Sequence, residues 1–536
     1  MNSISLSKEH IEAANRRRRI VFQYDICQFY VEHLKPELAE EVKAYFLSPF
    51  DETPNQIDSV WYEWGEGNTA PYPSQVLPPQ HPVFEEWRDA GIDPILLFLD
   101  ETRKRGKEVF LSYRINGSDN DMGPPKLTPL KEERQDLLIH TWYSFWNFAE
   151  EEVRDYKLRI LEEVAQIYDF DGIQIDFARV PVLFPPGEQW KHRDLLTEFM
   201  RSVRMMLLEI GRKRGRPLLL AARIPEKITG CHFDGIDVER WAREKLVDIL
   251  VPGCRSSEVE VEAFARIAAD HGIKVYPSWD DHHSSDGYHE APIEVVRGVA
   301  ANWRHQGAHG IHTFNLCFAG PSELASKLGV PAKERWDVQR QIYREIGSRE
   351  TLEGVDKTFF VERRGGGHHE SVVPVAEAWK TPRNMYFNTN MLAPLPAPLA
   401  NDGLSDTFLS LYAADDVSAA ADDIREITLR IVLSDAGAAD LPDSGRLDSV
   451  LVEGFSHPAP YHNSPPAAGI EKLIEARINN IPLGPATVEE GWLIFDVGAG
   501  MLAVGENLVG VRVTHRPPDV RKEILIEKLE LHVGYR

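Results

Sequence analysis

The sequence predicts an α/β chain in which a (β/α)8 TIM barrel is followed by a C-terminal antiparallel β-sandwich. From about residue 19 to 318, short β-rich runs alternate with amphipathic helical stretches, as expected of βα units in a parallel barrel. Beyond about residue 353, strand-like runs separated by Gly, Pro, Asn and Asp indicate a sandwich or jelly roll. We therefore expect a barrel with a helical extension over residues 1–353 and a jelly-roll-like accessory domain over residues 354–536.

Eight candidate strands occur in the first region, which is the strand number of the commonest α/β barrel. In chain order they are Ile20–Ile26, Asp58–Trp64, Glu108–Ile115, Gly172–Phe177, Pro217–Ile224, Val247–Pro252, Ile273–Trp279 and Gly310–Asn315. The stretch Glu151–Tyr168 has apolar residues at near-helical spacing and directly precedes the fourth strand. In that strand Gln174 and Asp176 alternate with isoleucines, which would direct the polar side chains toward the barrel axis.

Eight further strand-like runs occur in the second region. They are Thr358–Glu362, Phe408–Leu411, Glu426–Leu433, Ser449–Val452, Ala476–Ile478, Trp492–Asp496, Asn507–Val513 and Ile524–Val533.

Charge and composition restrict the partners of the chain. A formal net charge of -24 and a pI near 5.3 argue against nucleic acid or a membrane surface as the main partner. The N-terminus lacks the apolar segment of a secretory signal, so the chain as written is expected to be cytoplasmic. A chain trimmed to its mature start would look the same and would be periplasmic or secreted. The oligomeric state is not predicted.

Acidic residues gather at the predicted carboxyl ends of the barrel strands. They are Asp25, Glu63, Asp176, Glu226, Asp280 and Asp281. Glycosidic bonds are usually cleaved by two carboxyl groups, one donating a proton and the other acting as nucleophile or base. We take Asp176 as the central catalytic carboxylate, because an unpaired acid in so apolar a strand would be costly. Glu226 is favoured as its partner, although it could equally be a solvated acid; Asp280, Asp281 and Glu63 remain open.

Four arginines follow or lie on the same strands: Arg114, Arg179, Arg223 and Arg255. One interpretation is that they pair with the carboxylates. The other is that they bind an anionic sugar, a uronate or sulfated unit, through bidentate contacts. The first interpretation is favoured, because a site rich in acids needs compensating cations.

Aromatic and polar side chains near the strand ends suggest substrate contacts. Trp61, Trp64 and Trp279 are chosen because sugar rings stack on such faces. His312 and Asn315 are expected at the barrel mouth as hydrogen-bonding residues. His282 lies in the loop after Asp280, where a substrate rim is favoured over a metal site because the ligand spacing is not that of a metal motif. No metal or cofactor is predicted.

Two segments carry a resemblance to a known family. Residues 147–156 read NFAEEEVRDY and residues 168–181 read YDFDGIQIDFARVP. This resembles the "evr-y" helix and "yDvDGIhlDyiRyP"-like strand of the glycosyl-hydrolase-like family 10 barrels and their relatives. The resemblance implies a (β/α)8 hydrolase of polysaccharide or cell-wall glycan. Asp176 is the residue that matches the aspartate of the family's strand motif.

The layout is also similar to that of α-amylase-type barrels. That similarity implies Asp176 as nucleophile, Glu226 as proton donor and Asp280 or Asp281 as stabiliser, with retention and an α-linked substrate. The chain departs from that pattern because Arg179 follows the strand-four acid by three residues instead of preceding it by two.

The runs NNIPL (479–483), WLIFDV (492–497), GENLV (505–509) and IEKLEL (526–531) are similar to jelly-roll modules appended to glycosidases. This similarity implies glycan binding or a cover for one side of the barrel.

The sequence thus predicts a glycoside hydrolase acting on an oligosaccharide or polysaccharide by carboxylate acid–base chemistry. Two alternatives stay open: a carbohydrate-binding barrel without catalysis, and a polysaccharide lyase or metal-dependent hydrolase.

Overall fold

A computed structural model describes residues 4–26, 33, 35–65, 67–117, 127–140, 144–179, 182–253, 256–280, 288, 290–317, 319–363, 393–400, 402–434, 470–515 and 524–536. Its helices are α1 (Lys8–Asn15), α2 (Ala39–Asp51), α3 (Pro82–Asp89), α4 (Pro94–Lys104), α5 (Pro129–Glu133), α6 (Glu151–Ile167), α7 (Arg193–Arg214), α8 (Ile228–Phe233), α9 (Val238–Arg243), α10 (Val261–Ala269), α11 (Ile293–His305), α12 (Ser322–Leu328) and α13 (Trp336–Glu345).

The strands of the first region are β1 (Ile20–Asp25), β2 (Ile57–Glu63), β3 (Glu108–Arg114), β4 (Leu138–His140), β5 (Ser144–Trp146), β6 (Gly172–Asp176), β7 (Leu219–Ile224), β8 (Ile249–Pro252), β9 (Lys274–Val275), β10 (Ser278–Trp279) and β11 (Ile311–Phe314). Those of the second region are β12 (Lys357–Phe360), β13 (Ala397–Pro398), β14 (Thr407–Ala413), β15 (Ile424–Ser434), β16 (Ile474–Ile478), β17 (Ile481–Pro482), β18 (Thr487–Glu489), β19 (Trp492–Asp496), β20 (Gly505–Val513) and β21 (Leu525–Tyr535).

Nine strands form one curled parallel sheet in the order β10-β11-β1-β2-β3-β6-β7-β8-β9. Seven of the eight predicted barrel strands are confirmed with small changes of boundary. The predicted strand Ile273–Trp279 is split into β9 and β10, because Pro277 lacks the N–H that a continuous ladder needs. The two edge strands of the sheet are therefore consecutive in the chain.

Strand alternation divides the side chains of the sheet between two apolar clusters. Ile173 and Ile175 of β6 belong to the large cluster that the helices share with the outer face of the sheet. A smaller cluster includes Trp61 of β2 and Phe110 of β3, which stack with ring centroids 4.7 Å apart. The predicted direction of the isoleucines toward the helices is thus confirmed, and Asp176 belongs to the opposite, inner face.

Buried ion pairs fasten the N-terminal segment to the amino-terminal end of the sheet. Arg18 donates from Nε and Nη2 to the Glu108 carboxylate at 2.6 Å each. Asp248 accepts from both terminal nitrogens of Arg204 at 2.6 and 2.7 Å and contacts His10 of α1 at 2.9 Å. These contacts hold α1 across the end of the sheet remote from the strand-end acids.

The second region consists of two antiparallel sheets. One has the order β12-β21-β15-β19-β18, with β13 also paired to β21, and the other has the order β14-β20-β16-β17. One apolar cluster contains residues of both sheets, such as Leu429, Leu531, Leu411 and Val511. Seven of the eight predicted strands are confirmed, whereas Ser449–Val452 lies outside the described residues. The finer jelly-roll topology and the boundary at residue 353 remain predictions.

Within the part of the chain that the structure describes, no helix is long and apolar enough to cross a lipid bilayer.

Removing the charge of Asp248 is expected to destabilise the fold. Burial alone would raise the pKa of this carboxyl, but the charge of Arg204 and the hydrogen bonds from His10 and Arg204 hold the pKa far below its usual range. Asp248→Asn leaves Arg204 buried without its counter-charge, which should lower the free energy of unfolding by about 3–5 kcal/mol at pH 7. Because the folded-state pKa is depressed, the deficit should persist down to about pH 5 and shrink only below about pH 4.

Urea denaturation of Asp248→Asn between pH 4 and 8 measures this effect. The matched control is Glu209→Gln, which breaks a comparable ion pair with Arg212 at 2.8 Å on the exposed face of α7. Equal small effects of the two substitutions would contradict the assigned role of the buried pair.

Candidate active site

The strand register brings the acids and arginines of neighbouring strands together at the carboxyl end of the sheet. Asp25 of β1 is opposite Glu63 of β2, and Arg114 of β3 is opposite Asp176 of β6. Asp176 is in turn opposite Arg223 of β7. All five residues are at most 2% exposed. Sequence reasoning selected each of them, and the structure brings them together.

Asp176 is held by Arg223 and by the turn that follows β6. Its Oδ1 accepts from Nε of Arg223 at 3.0 Å and from the backbone N–H groups of Ala178 and Arg179 at 2.9 and 3.0 Å. Its Oδ2 lies 2.8 Å from Nη2 of Arg223. The Arg223 guanidinium also lies 4.0 Å from the centre of the Phe314 ring. These contacts offset the cost of burying a carboxylate at the end of an apolar strand.

Asp25 is paired with a different arginine. Its Oδ2 accepts from Nη2 of Arg114 at 2.6 Å and from the side-chain amide of Asn315 at 3.0 Å. The Asn315 carbonyl oxygen accepts from the Asp25 backbone N–H, and Asn315 has a φ of 51°, a left-handed conformation that asparagine tolerates. The other carboxylate oxygen, Oδ1, is buried and has no hydrogen-bond partner among the described residues. Asn315 is therefore a positioning residue, as the sequence indicated.

Glu63 differs from the other two acids in its surroundings. Its carboxyl group lies 3.0 Å from the Ser112 hydroxyl, and its closest cation is Nε of Arg114 at 3.9 Å. Burial raises the pKa of Glu63 well above its usual value, and the charges of Asp25 and Asp176 add to this effect. The charge of Arg114 and the Ser112 hydrogen bond oppose it without overcoming it. The net effect is a raised pKa, which favours the protonated form of this carboxyl group.

A layer of polar side chains lies below the acids. Ser112 donates to Gln174 at 2.6 Å and accepts from Gln23 at 3.0 Å. His312 contacts Gln23 at 3.0 Å and Ser278 at 2.8 Å. Burial, with a smaller contribution from the charge of Arg223, lowers the pKa of His312 well below its usual value. The expected hydrogen-bonding role of His312 agrees with these contacts.

Sequence reasoning directed Gln174 toward the barrel axis, but it chose none of four members of this layer as a site residue: Gln23, Ser112, Gln174 and Ser278. The signal was present along β1, β3, β6 and β10, because these polar residues lie two positions before the chosen residues Asp25, Arg114, Asp176 and Asp280.

Glu226 lies on a turn that is joined to the segment before α10. It is half-buried beyond the end of β7, and its backbone carbonyl accepts from the N–H of Glu260 at 3.0 Å. The next turn is fastened to the same segment, because the N–H of Ile228 donates to the Glu260 carboxylate at 2.9 Å. These contacts connect this turn to the loop after β8.

Two of the three predicted aromatic contacts are directed away from the acids. Trp61 is fully buried, stacks on Phe110 and donates from its indole to Ser59 at 2.7 Å. Trp64 is 5% exposed and packs against Phe98 of α4, with ring centroids 5.7 Å apart. Alternation along β2 sends Trp64 to the outer face and Trp61 deep into the inner face. The expectation of substrate contact is therefore corrected for both residues, which serve the core.

Trp279 is also placed in the apolar core. It is 3% exposed and belongs to the outer cluster, whereas its neighbour Ser278 faces inward to His312. The inward position that a substrate contact requires is thus occupied by Ser278. Arg179 is 5% exposed, and its backbone N–H contacts Asp176.

Asp280 follows β10 and is fully buried. Asp281, His282 and Arg255 lie outside the described residues. Within the described ranges, no group of three or more His, Cys, Asp or Glu side chains is arranged to hold a metal ion.

Comparisons with known proteins give no family for this chain. No family model and no curated protein matches it. Among solved structures, it aligns with an alpha-L-fucosidase from Paenibacillus thiaminolyticus at 13% identity and a TM-score of 0.36, over 55% of this chain and 46% of the fucosidase. It aligns with an alpha-amylase from Geobacillus thermoleovorans at 10% identity and a TM-score of 0.36, over 93% of this chain and 99% of the amylase.

A third solved structure, a GH36 alpha-galactosidase from Geobacillus stearothermophilus, aligns at 11% identity and a TM-score of 0.31. This alignment covers 97% of this chain and 56% of the galactosidase. The chain thus spans about half the length of the fucosidase and of the galactosidase.

Glu63→Gln is expected to make stability less dependent on pH. Because the folded-state pKa of Glu63 is raised, the folded protein binds more protons than the unfolded chain, and stability falls as pH rises above the unfolded value of about 4.3. Glutamine removes this dependence while it can still accept from Ser112. In urea denaturation, the free energy of unfolding of the variant should therefore rise relative to that of the native protein from pH 4 to 8. A difference that is constant over this range would contradict the raised pKa.

Proposed function

We propose that this chain is a glycoside hydrolase that cleaves O-glycosidic bonds of an oligosaccharide or polysaccharide. The single observation that carries the proposal is that three neighbouring buried acids differ in their charged surroundings. Glu63 has a raised pKa, whereas Asp176 and Asp25 are each bound by an arginine. Acid-assisted glycoside cleavage uses one carboxyl group as the proton donor and a second as nucleophile or base, and a raised pKa suits Glu63 to the first role.

In the proposed reaction, Glu63 donates its proton to the glycosidic oxygen as the bond to the anomeric carbon breaks. Asp176 acts on the anomeric carbon through Oδ2, because Oδ1 accepts three hydrogen bonds. A covalent glycosyl ester forms, and water deprotonated by the Glu63 carboxylate then releases the sugar and restores both acids. Oδ1 of Asp25 would accept a substrate hydroxyl. Retention and an α-linked substrate rest on the resemblance to α-amylase-type barrels.

The proposal places the chemistry on a complete (β/α)8 barrel spanning residues 1–353. Support comes from the segment between β9 and β10, where the Tyr276 N–H donates to Leu250 and the Pro277 carbonyl accepts from His312, both at 2.9 Å. These bonds join the two edges of the parallel sheet through one short segment. The region 354–536 would be the accessory domain.

The contacts of the arginines support a neutral substrate. Arg114 and Arg223 are within 2.8 Å of Asp25 and Asp176, so their charges are already compensated. This arrangement fits the interpretation in which the arginines stabilise the acids. It leaves an anionic sugar as the less favoured proposal.

A carbohydrate-binding barrel without catalysis is the second candidate. It is favoured by the burial of all three acids, which are at most 2% exposed, and by the dense contacts of Asp176. Binding of a glycan panel with no release of reducing ends would select this candidate.

Glu63→Gln is expected to reduce hydrolysis of natural glycosidic bonds by about 10²–10⁴-fold, because the leaving group then departs without a proton. A dinitrophenyl glycoside should lose far less, since its leaving group is a weak base that needs no protonation. Asp176→Asn should abolish both reactions. Steady-state kinetics on the two substrate types make this comparison.

Glu226→Gln distinguishes the two candidate proton donors in the same assay. The proposal expects a change of less than about threefold, because it assigns the proton transfer to Glu63. Suppose instead that Glu226→Gln loses activity on the natural glycoside but keeps it on the activated one, while Glu63→Gln is active on both. The proton donor would then be Glu226.

Turnover is expected on neutral oligosaccharides and not on uronate-containing ones, because the arginines at the site are paired with acids. Reducing-end release from matched neutral and uronate panels provides the measurement. Activity confined to the uronate panel would overturn the neutral-substrate assignment.

A further inference from the structure

The outer face of the sheet β12-β21-β15-β19-β18 carries an ordered set of polar and aromatic side chains. The cross-strand register aligns Lys528, Val432 and Trp492 in one row. The next row contains Glu530 and Arg430. Residues directly opposite each other in antiparallel strands share a face, and residues two apart along a strand do as well. The apolar side chains of the same strands belong to the core on the other face.

This outer face is only partly covered by the first region. Tyr288 packs on Phe360 with ring centroids 4.3 Å apart, and its hydroxyl donates to Glu530. The first turn of α11, including Pro292 and Glu294, lies nearby. Between these elements is a cavity of about 410 Å³, lined also by Arg430, Trp492, Lys528 and His532. This volume is within the range of small-molecule sites.

The cavity lies at the same end of the parallel sheet as the catalytic acids. Strand β10 runs toward the end that carries Asp176, and α11 begins only after the loop that follows this strand. The first turn of α11 is therefore at the carboxyl end of the strands, where barrel enzymes bind their substrates. A glycan that extends from the acids over this edge would reach the cavity.

The walls of the cavity combine a ring face with charged hydrogen-bonding groups. Trp492 is half-buried, and the Lys528 ammonium lies 5.7 Å from its ring and 3.8 Å from the Glu530 carboxylate. Among the described residues, the one hydrogen bond of Arg430 joins Nε to Thr428 Oγ1 at 3.3 Å. Its terminal N–H groups can therefore donate to a ligand.

We propose that this cavity is a carbohydrate subsite that binds a neutral pyranose unit of the glycan at a distance from the cleaved bond. The Trp492 ring stacks on the apolar C–H face of the sugar. Arg430 and Lys528 donate to ring hydroxyls, while Glu530 and Glu294 accept from them. Two cations and two carboxylates balance one another, which matches an uncharged, hydroxyl-rich ring. The identity of the ligand as a glycan rests on the proposed hydrolase function.

The test uses the full chain with Asp176→Asn, so that bound glycan is not cleaved. Affinity gel electrophoresis measures retardation by soluble pullulan, xylan, galactan and galactomannan, with polygalacturonate as the acidic comparison. Trp492→Ala and Arg430→Ala are each expected to weaken retardation by a neutral polysaccharide about 5- to 50-fold. Trp492→Tyr, which retains a ring, should keep most of the affinity, so a loss through misfolding is recognised.

Trp336→Ala is the matched control. Trp336 is also a half-buried tryptophan with a cation near its ring, since Arg340 lies 5.9 Å from it, but it is on α13 and outside the cavity. Its substitution should leave retardation unchanged.

Equal retardation of Trp492→Ala, Trp336→Ala and the parent would overturn the subsite, and so would the absence of retardation by every neutral polysaccharide. Retardation by polygalacturonate alone would overturn the neutral assignment. If the native chain cleaves glycans but Trp492→Ala does not change retardation, the subsite is refuted and the hydrolase proposal is unaffected. If retardation depends on Trp492 but the native chain cleaves none of the glycans, the subsite is supported and the hydrolase proposal is refuted.

Discussion

The buried ion pair between Asp176 and Arg223 is the interaction on which the arrangement of the site depends. An acid at the end of an apolar strand must be compensated, and the adjacent strand β7 supplies the cation at the matching register position. The same guanidinium lies on the Phe314 ring and contributes to the lowered pKa of His312. One pair therefore holds the turn after β6 and the inward direction of both charged side chains.

Compensation of this kind recurs at both ends of the sheet, and Glu63 is the contrasting case. Glu108 and Asp248 have arginine contacts of 2.6 Å, as does Asp25. For Glu63 the closest arginine nitrogen is at 3.9 Å, and two like charges are near enough to act on its pKa. Burial, together with the charges of Asp25 and Asp176, therefore raises the pKa of Glu63, and the charge of Arg114 does not overcome this effect.

The second region extends this chemistry because of the way in which its sheet meets the first region. One face of its β15 strand supplies core residues, which leaves the other face free to carry Arg430 beside Trp492 of β19. The first turn of α11 and Tyr288 cover part of that outer face. A cavity between the two regions follows from sheet alternation and from the place where α11 begins.

The sequence by itself determined the order of strands and helices, the inward direction of Asp176 and the presence of charged residues at the strand ends. These features depend on periodicity along one strand, which can be read locally. Only the tertiary structure decided that the charges of Asp25, Asp176 and Arg114 act on Glu63, and that Trp61 and Trp64 serve the core. Those outcomes depend on neighbours contributed by β1, β3 and β7, which are distant in the chain. Burial and charge coupling are properties of that assembled environment, so no single segment contains them.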